Sequence, residues 1–424
     1  MKRLQNKKRI LPHCIVAAAV VLFFAFLYFF NSSVEKTPLL PNDGSTFEKA
    51  QVVSVQENTD TGNRGGSQTV AVQLLSGSHK GETVEANNLN GYLYGAQCDI
   101  GTRVIVQVSE FNGSISASVY NYDRGIVLYG IIALFLVVLW VVGRGKGLRS
   151  ALALVFTLAC IVFLYLPMLY VGFSPFFAAV AVVVLTTLVT MYLIGGFSVK
   201  TLCSVLGTIA GVVVAGMIAT VFGNWGHISG WNVTEIETLV FIGQNSELQI
   251  GGLLFSGILI ATLGAVMDVS ISVASTMQEI KDRTPGLSAR ELFKSGINVG
   301  RDMMGTMSNT LILAFTGGSI NTLVIYYSYS MSYQQILNSY SIGIEILQGL
   351  AGTLGVILTV PFVSAISAAL MSKKKIHPSN PVAIEKLENV ISSETDHFQH
   401  AAGENPRGTE PLEDAGLFHD TMVK

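Results

Sequence analysis

Long apolar runs, separated by short polar segments, dominate the pattern of this chain. Each run is close to the ~20 residues that an α-helix needs to cross the hydrocarbon core of a bilayer. The pattern predicts eight spans, at residues 10–30, 125–142, 151–170, 175–194, 201–222, 250–277, 303–326 and 342–371. The predicted fold class is therefore an α-helical membrane protein with about eight transmembrane helices.

The first apolar run, residues 10–30, follows five Lys and Arg residues and ends in FLYFFNSS. A cleaved signal peptide would have a shorter apolar core followed by a small-x-small cleavage site. Neither feature is present, so residues 1–30 are interpreted as a cytoplasmic N-terminus followed by an uncleaved signal-anchor helix.

Residues 31–122 have a different pattern, because Val-rich segments alternate between apolar and polar positions and are broken by Gly and Asn. Five strands are predicted, in FEKAQVVSV, QTVAVQLLSG, GETVEANNL, GTRVIVQVSE and SISASVYNYD, with a hairpin loop in NTDTGNRGGSQ. Short strands with Gly-rich turns favour a small antiparallel barrel of OB-like type. Its aromatic residues form a binding face, fill the core or touch the membrane surface: Tyr92, Tyr94, Phe111, Tyr120 and Tyr122.

The distribution of basic residues predicts the orientation of the chain. With the N-terminus inside, the inner segments hold 17 Lys and Arg residues, whereas the short outer loops at 171–174, 223–249 and 327–341 hold none. Because basic loops stay on the cytoplasmic side, both termini are predicted to be cytoplasmic and residues 31–122 extracellular. Residues 123–371 then form a seven-helix membrane domain, and the polar, acidic segment 372–424 is predicted to be a disordered cytoplasmic tail.

Composition and motifs narrow the function. Only 13% of the residues are charged, against about 25% in soluble proteins, which argues against a globular enzyme. The net charge of −2 argues neither for nor against a nucleic-acid partner, but the lack of a basic stripe with interleaved aromatics argues against one and leaves the lipid bilayer as the expected partner. No HExxH or GxSxG occurs, GRGKG is too short for a P-loop, and the four cysteines have no metal spacing. No catalytic residue, cofactor or metal is expected.

Polar residues follow one face of the sixth predicted span. They recur at steps of three and four, which keeps them on one side of an α-helix. The seventh span carries a matching stripe. The first stripe is Gly257, Ala261, Gly264, Asp268, Ser272, Ser275 and Glu279, and the second is Asn298, Asp302, Gly305, Asn309 and Thr316.

Adjacent spans run antiparallel, so facing residues should have constant index sums. The predicted pairs are Glu279 with Asn298, Ser275 with Asp302, Ser272 with Gly305, and Asp268 with Asn309. The hypothesis is a polar seam in which the two stripes face each other, with Arg301 and Asp302 at its cytoplasmic mouth.

Asp268 has three interpretations. An aspartate inside a span costs about 2.5–3.5 kcal/mol on insertion scales, and such a group is a functional-site candidate. It is an ion or proton site, a catalytic group, or a structural clamp that accepts a hydrogen bond from Asn309, Ser272 or Thr310. Glu345, near the outer end of the last span, is a secondary candidate.

The two polar spans also carry a family resemblance. The segments GAVMDVSISVASTMQEI, ELFKSGINVGRDMMGTMSNTLILAFTGGSINTL and IEILQGLAGTLGVILTVPFVSAI closely resemble the YibE/F family of bacterial membrane proteins, over about residues 125–370. The candidate positions Asp268, Glu279, Asn298, Arg301, Asp302 and Asn309 all fit that pattern. The resemblance implies a multispanning protein of the bacterial plasma membrane and names no substrate.

Two function classes follow. The first is a transporter or channel for an ion or small solute, with the seam as its path. The alternative is a non-transporting scaffold or envelope-assembly factor whose residues 45–122 bind a partner. A homo-oligomer is compatible with both, and an intramembrane hydrolase would need an activated nucleophile that the sequence does not show.

Overall fold

The computed structural model describes residues 22–34, 45–60, 66–88, 95–111 and 114–372. Several predictions fall outside these ranges. They concern the start of the signal anchor, the tip of the first hairpin, Tyr92 and Tyr94, and the C-terminal tail after Ser372.

A closed five-stranded barrel precedes the long helices, as predicted. Its strands are β1 (Ser45–Asp60), β2 (Gly66–Leu74), β3 (Thr83–Asn88), β4 (Arg103–Phe111) and β5 (Ser114–Tyr122), closed in the order β1-β2-β3-β5-β4. Alternate residues such as Val70, Val72, Val104 and Val106 point inward and are fully buried. The period-two pattern thus predicts both the strands and the face that each one buries.

One pair of strands corrects the prediction of a purely antiparallel barrel. Strands β3 and β5 run parallel, with Ala86 opposite Ala117 and Asn87 opposite Ser118, whereas the other four pairs are antiparallel. The reason is topological: strand directions cannot alternate all the way around a closed ring with an odd number of strands. Five strands therefore require at least one parallel pair.

Buried amide groups cross-link the interior of the barrel. Asn88 Nδ2 donates to Gln68 Oε1 (3.1 Å), and the same oxygen accepts from the backbone N–H of Cys98 (2.9 Å). Burial raises the pKa of the Cys98 thiol to about 11. Cys98 is fully buried and packs within the core of the barrel.

Helices make up the remainder of the described chain. They are α1 (Leu22–Ser32), α2 (Gly125–Cys160), α3 (Leu166–Tyr170), α4 (Pro175–Gly195), α5 (Val199–Trp225), α6 (Ile236–Gln244), α7 (Leu253–Arg283), α8 (Ala289–Gly318), α9 (Ile320–Ser328), α10 (Tyr333–Leu337) and α11 (Tyr340–Ser372). A π-helical turn, Ile161–Tyr165, joins α2 to α3 just before Pro167. Proline lacks the N–H that a regular helix would use there.

Several helices are long and apolar enough to cross a membrane. Five helical runs in the described chain meet this condition, or six if α8 and α9, which are bent by 58° at their junction, form one span. The chain is thus mostly helical with a membrane-spanning character, as predicted. The count of eight spans stays a prediction.

A sharp turn divides the longest run, Gly125–Tyr170. Arg144 has non-helical torsion angles (φ 48°, ψ −134°), and a Cβ on Gly147 would overlap the carbonyl oxygen of Leu139. Residues eight apart in a straight helix would be about 12 Å apart along its axis. The chain therefore folds back at GRGKG, the segment that separates the predicted spans 125–142 and 151–170.

The core of the helical region lies between α4, α5, α7 and α11, where small residues bring backbones close together. A Cβ on Gly211 would overlap the side chain of Thr359, and one on Gly207 would lie 2.7 Å from Ser270 Oγ. Ser270 Oγ in turn donates to the carbonyl oxygen of Ser204 on α5 (2.7 Å). Close helix contact through small and hydroxyl side chains is typical of membrane bundles. These contacts bury the face of α7 that carries Ser270.

Candidate functional site

A short, well-bonded turn holds the two candidate helices together. Lys281, at the end of α7, donates to the carbonyl oxygens of Pro285 and Leu287 (2.8 Å each). Ser288 begins α8 with a capping box, in which Glu291 Oε2 accepts from the Ser288 N–H (2.9 Å) and Ser288 Oγ accepts from the Glu291 N–H. These bonds satisfy backbone groups that helix ends leave free. α7 and α8 are therefore antiparallel neighbours.

The polar stripe of α7 lies on the outside of the bundle. Asp268 is exposed, and Ser272 and Ser275 are half-buried. Toward the start of α7, a Cβ on Gly264 would meet no atom within 4 Å. At the other end Glu279 is also exposed and accepts from Arg283 (2.7 Å) within the same helix. The stripe therefore lies on the outer side of α7, exposed at Asp268 and Glu279 and half-buried between them.

The polar residues of α8 are equally open. The candidates on this helix are all exposed: Asn298, Arg301, Asp302, Asn309 and Thr310. The Thr310 hydroxyl donates to the carbonyl oxygen of Thr306 in its own helix (2.9 Å). It therefore does not bond across to α7.

The structure corrects the hypothesis that the stripes face each other. A Cβ on Gly305 would meet no atom within 4 Å, so the predicted contact with Ser272 is not formed. α8 instead packs through Gly296, where a Cβ would lie 2.5 Å from Met277 Sδ, and through Gly300, which abuts Val360 of α11. Glycines let large apolar side chains fill the interface densely, and the polar residues are left outside.

The described residues also do not form the structural clamp, in which Asp268 would accept a hydrogen bond from a neighbouring side chain. Its carboxylate forms no hydrogen bond or ion pair with any residue that the structure describes. Asp268 and Asn309 thus both belong to the outward polar face of α7 and α8, defined here as the exposed and half-buried members of the two stripes together with Arg301 and Thr310.

A set of buried hydroxyls escaped the sequence reasoning. Thr208 of α5 and Ser364 and Ser367 of α11 are buried, and the oxygens of Thr208 and Ser364 have no hydrogen-bond partner in the described part of the chain. Buried polar groups normally have a partner. The only signal in the sequence was the repeat of Ser and Thr along the last span. Because hydroxyl groups are uncharged, this repeat is a weaker indication of a functional site than a charged residue is.

Glu345 lies on α11, apart from the stripes of α7 and α8 and beside the break between α8 and α9. It is half-buried and lines two cavities, of about 180 and about 250 Å³, which both also contact Ser319. The larger one is lined mainly by apolar side chains of α8, α9 and α11, and the smaller one mainly by polar residues. Glu345 is therefore placed beside a polar cavity that the sequence did not reveal.

Comparison with known proteins identifies a family. A family model described as YibE/F-like protein matches residues 131–373, more than half of the chain. The match covers α7, α8 and all the candidate residues on them. No curated protein and no solved structure matches the chain.

Proposed function

The chain belongs to the YibE/F-like family, and we propose that it carries an ion or small polar solute across the membrane along the outward polar face of α7 and α8. The observation that supports this most directly is Asp268, an exposed carboxylate within an apolar helix with no partner among the described residues. A charge at the centre of a span costs about 2.5–3.5 kcal/mol and is kept where it faces water or protein.

The outward polar face needs a cover other than lipid, and we propose that a second copy of this chain provides it. Arg301 and Asp302 are adjacent and exposed, so the face carries both signs of charge and complements itself under two-fold symmetry. Gly264 and Gly305 leave room for close approach. Two such faces would enclose a polar path lined by Asp268, Ser272, Ser275, Glu279, Asn298, Arg301, Asp302, Asn309 and Thr310.

The proposed orientation rests on the basic residues. The inner segments hold 17 Lys and Arg residues and the short outer loops none, which supports cytoplasmic termini and an extracellular barrel. The family relationship supports the bacterial plasma membrane as the location. The break between α8 and α9 then lies near the outer surface and the α7–α8 turn near the cytoplasm.

Flux measurements in proteoliposomes test the proposal. Asp268→Asn should reduce the uptake of the transported ion or solute at least ~tenfold, because losing the path's carboxylate weakens cation or proton binding by ~1.4 kcal/mol or more. The matched control is Asp282→Asn, on the same helix, where the carboxylate is exposed and accepts from Gln278 (2.8 Å). Equal flux in the wild type and the folded Asp268→Asn protein would remove Asp268 from the path.

A scaffold function is the alternative, and the barrel offers an observation in its favour. Phe47 and Tyr120 are each 58% exposed, and their rings meet edge to face with centroids 5.2 Å apart. Exposed aromatic pairs are common anchors at protein interfaces. Under this alternative, cross-linking should capture an envelope protein with the wild type and lose it with Phe47→Ala and Tyr120→Ala, and proteoliposomes should show no flux.

A further inference from the structure

The smaller of the two cavities beside Glu345 lies where four parts of the chain meet. It is lined by the loop after α5, the start of α7, the start of α9 and the first turns of α11. Its volume is about 180 Å³, which is room for an ion with several waters. Seven polar residues line it: Asn232, Thr234, Ser319, Thr322, Ser341, Glu345 and Gln348.

Most of the polar side chains in this cavity have no hydrogen-bond partner among the described residues and are available to bind a ligand. The side chains of Thr322, Ser341, Glu345 and Gln348 make no hydrogen bond or ion pair with any described residue. Ser319 donates to the carbonyl oxygen of Phe315 (3.3 Å), which leaves the lone pairs of its hydroxyl available. Unpaired polar groups that converge on a cavity are the usual sign of a ligand site.

The helix break explains why these groups converge. α8 ends at Gly318 and α9 begins at Ile320 with a bend of 58°, so Ser319 lies at the junction and is 7% exposed. The neighbouring cavity, which is also lined by Ser319 and Glu345, is largely apolar. Broken helices in membrane proteins place polar groups at binding sites in this way.

We propose that this cavity binds a small monovalent cation, with the Glu345 carboxylate as its charged ligand. The other available ligands are neutral oxygens, from Ser319, Thr322 and Ser341 and the Gln348 amide. Hard cations prefer such oxygen ligands. One carboxylate balances a single positive charge, whereas divalent cations in proteins usually draw on more than one. No His or Cys lines the cavity, so its chemistry does not suit softer metals.

This site is independent of the outward polar face, because Glu345 lies on α11 and Asp268 on α7, and the cavity includes none of the stripe residues. A cation bound there would stabilise the folded protein whether or not the protein transports anything. The test is therefore thermal unfolding of the full-length protein in detergent, with NaCl, KCl or choline chloride at equal ionic strength.

The expected result is a melting temperature that rises with the logarithm of the Na⁺ or K⁺ concentration, and not with choline, in the wild type. Glu345→Gln should abolish the rise. Glu237→Gln, an exposed carboxylate on α6 outside the cavity, should retain it. A rise that persists unchanged in Glu345→Gln, or no difference between the alkali cations and choline, would overturn the proposal.

A second variant covers the case in which Glu345→Gln does not fold. Thr322→Val removes one neutral ligand and keeps the charge. It should raise the cation concentration needed for half of the stabilisation several-fold. An unchanged half-saturating concentration in Thr322→Val, measured beside Glu237→Gln, counts against the site.

Discussion

Two exposed surfaces of this molecule differ in chemistry, although α2 and α7, on which they lie, are both apolar enough to span a membrane. The first half of α2 exposes Ile132 (53%), Leu134 (62%) and Val138 (52%), and no residue in its most apolar window is buried. The face of α7 and α8 exposes Asp268 and Asn309 instead. Lipid tails can cover the α2 surface at no cost, whereas they cannot satisfy a carboxylate or an amide. An exposed side chain in the single chain is therefore either suited to contact with lipid, as on α2, or in need of a polar partner, as on α7 and α8.

The largest effect is expected from a charge in the α2 surface. Ile132→Asp should lower the amount of membrane-inserted, folded protein, because an aspartate facing lipid costs about 2.5–3.5 kcal/mol. The measurement is the fraction that stays in the membrane after an alkaline wash, with Ile132→Val as the control. Insertion of Ile132→Asp at the wild-type level would show that the α2 surface is not lipid-facing, and the contrast with α7 and α8 would be lost.

A smaller effect is expected from substitutions on the packed inner face of α8, compared with substitutions on its open outer face. Gly300→Leu should destabilise the protein by about 1–3 kcal/mol, since its Cβ would already overlap the side chain of Val360. Gly305→Leu, five residues on, points into open space and should leave the melting temperature of a single chain nearly unchanged. Thermal unfolding in detergent measures both. Similar losses in the two variants would mean that the outer face is packed as tightly as the inner one.

The smallest effect is expected in the test of the proposed contact between two copies of the chain. In a cysteine-free background, Gly264→Cys should form a cross-linked dimer with a short bifunctional thiol reagent, because a two-fold contact brings the two α7 faces together. Ile132→Cys, which is exposed on the apolar surface of α2, is the matched control and should stay monomeric. Equal cross-linking of the two variants, or none for Gly264→Cys in native membranes, would exclude the proposed dimer contact.

The correction of the α7–α8 seam shows what a periodic pattern leaves undetermined. Steps of three and four place Asp268 and Ser272 on one face of α7, and the structure has them there. The spacing contains no information about what lies opposite that face. Packing between the helices decided it, because Gly296 and Gly300 let Met277 and Val360 approach the α8 backbone closely.

The barrel was more predictable than the helical packing. In a strand, the alternation of residues such as Val70 and Val72 fixes both the element and its buried face, because side chains point to opposite sides at each step. Even so, the parallel pairing of β3 with β5 followed from the closure of five strands and not from any residue in them. The hydropathy pattern likewise located most helices but not the bend after Gly318.

The sequence by itself determined that this chain is a membrane protein with a small β-barrel before its helical region, because apolar length and strand alternation are local properties. It also determined which polar residues share a helix face. Only the tertiary structure decided that this face points outward, that Glu345 lines a polar cavity, and that Thr208, Ser364 and Ser367 lie inside the core. These features depend on which helices meet, and that is set by the fit of side chains distant in the sequence.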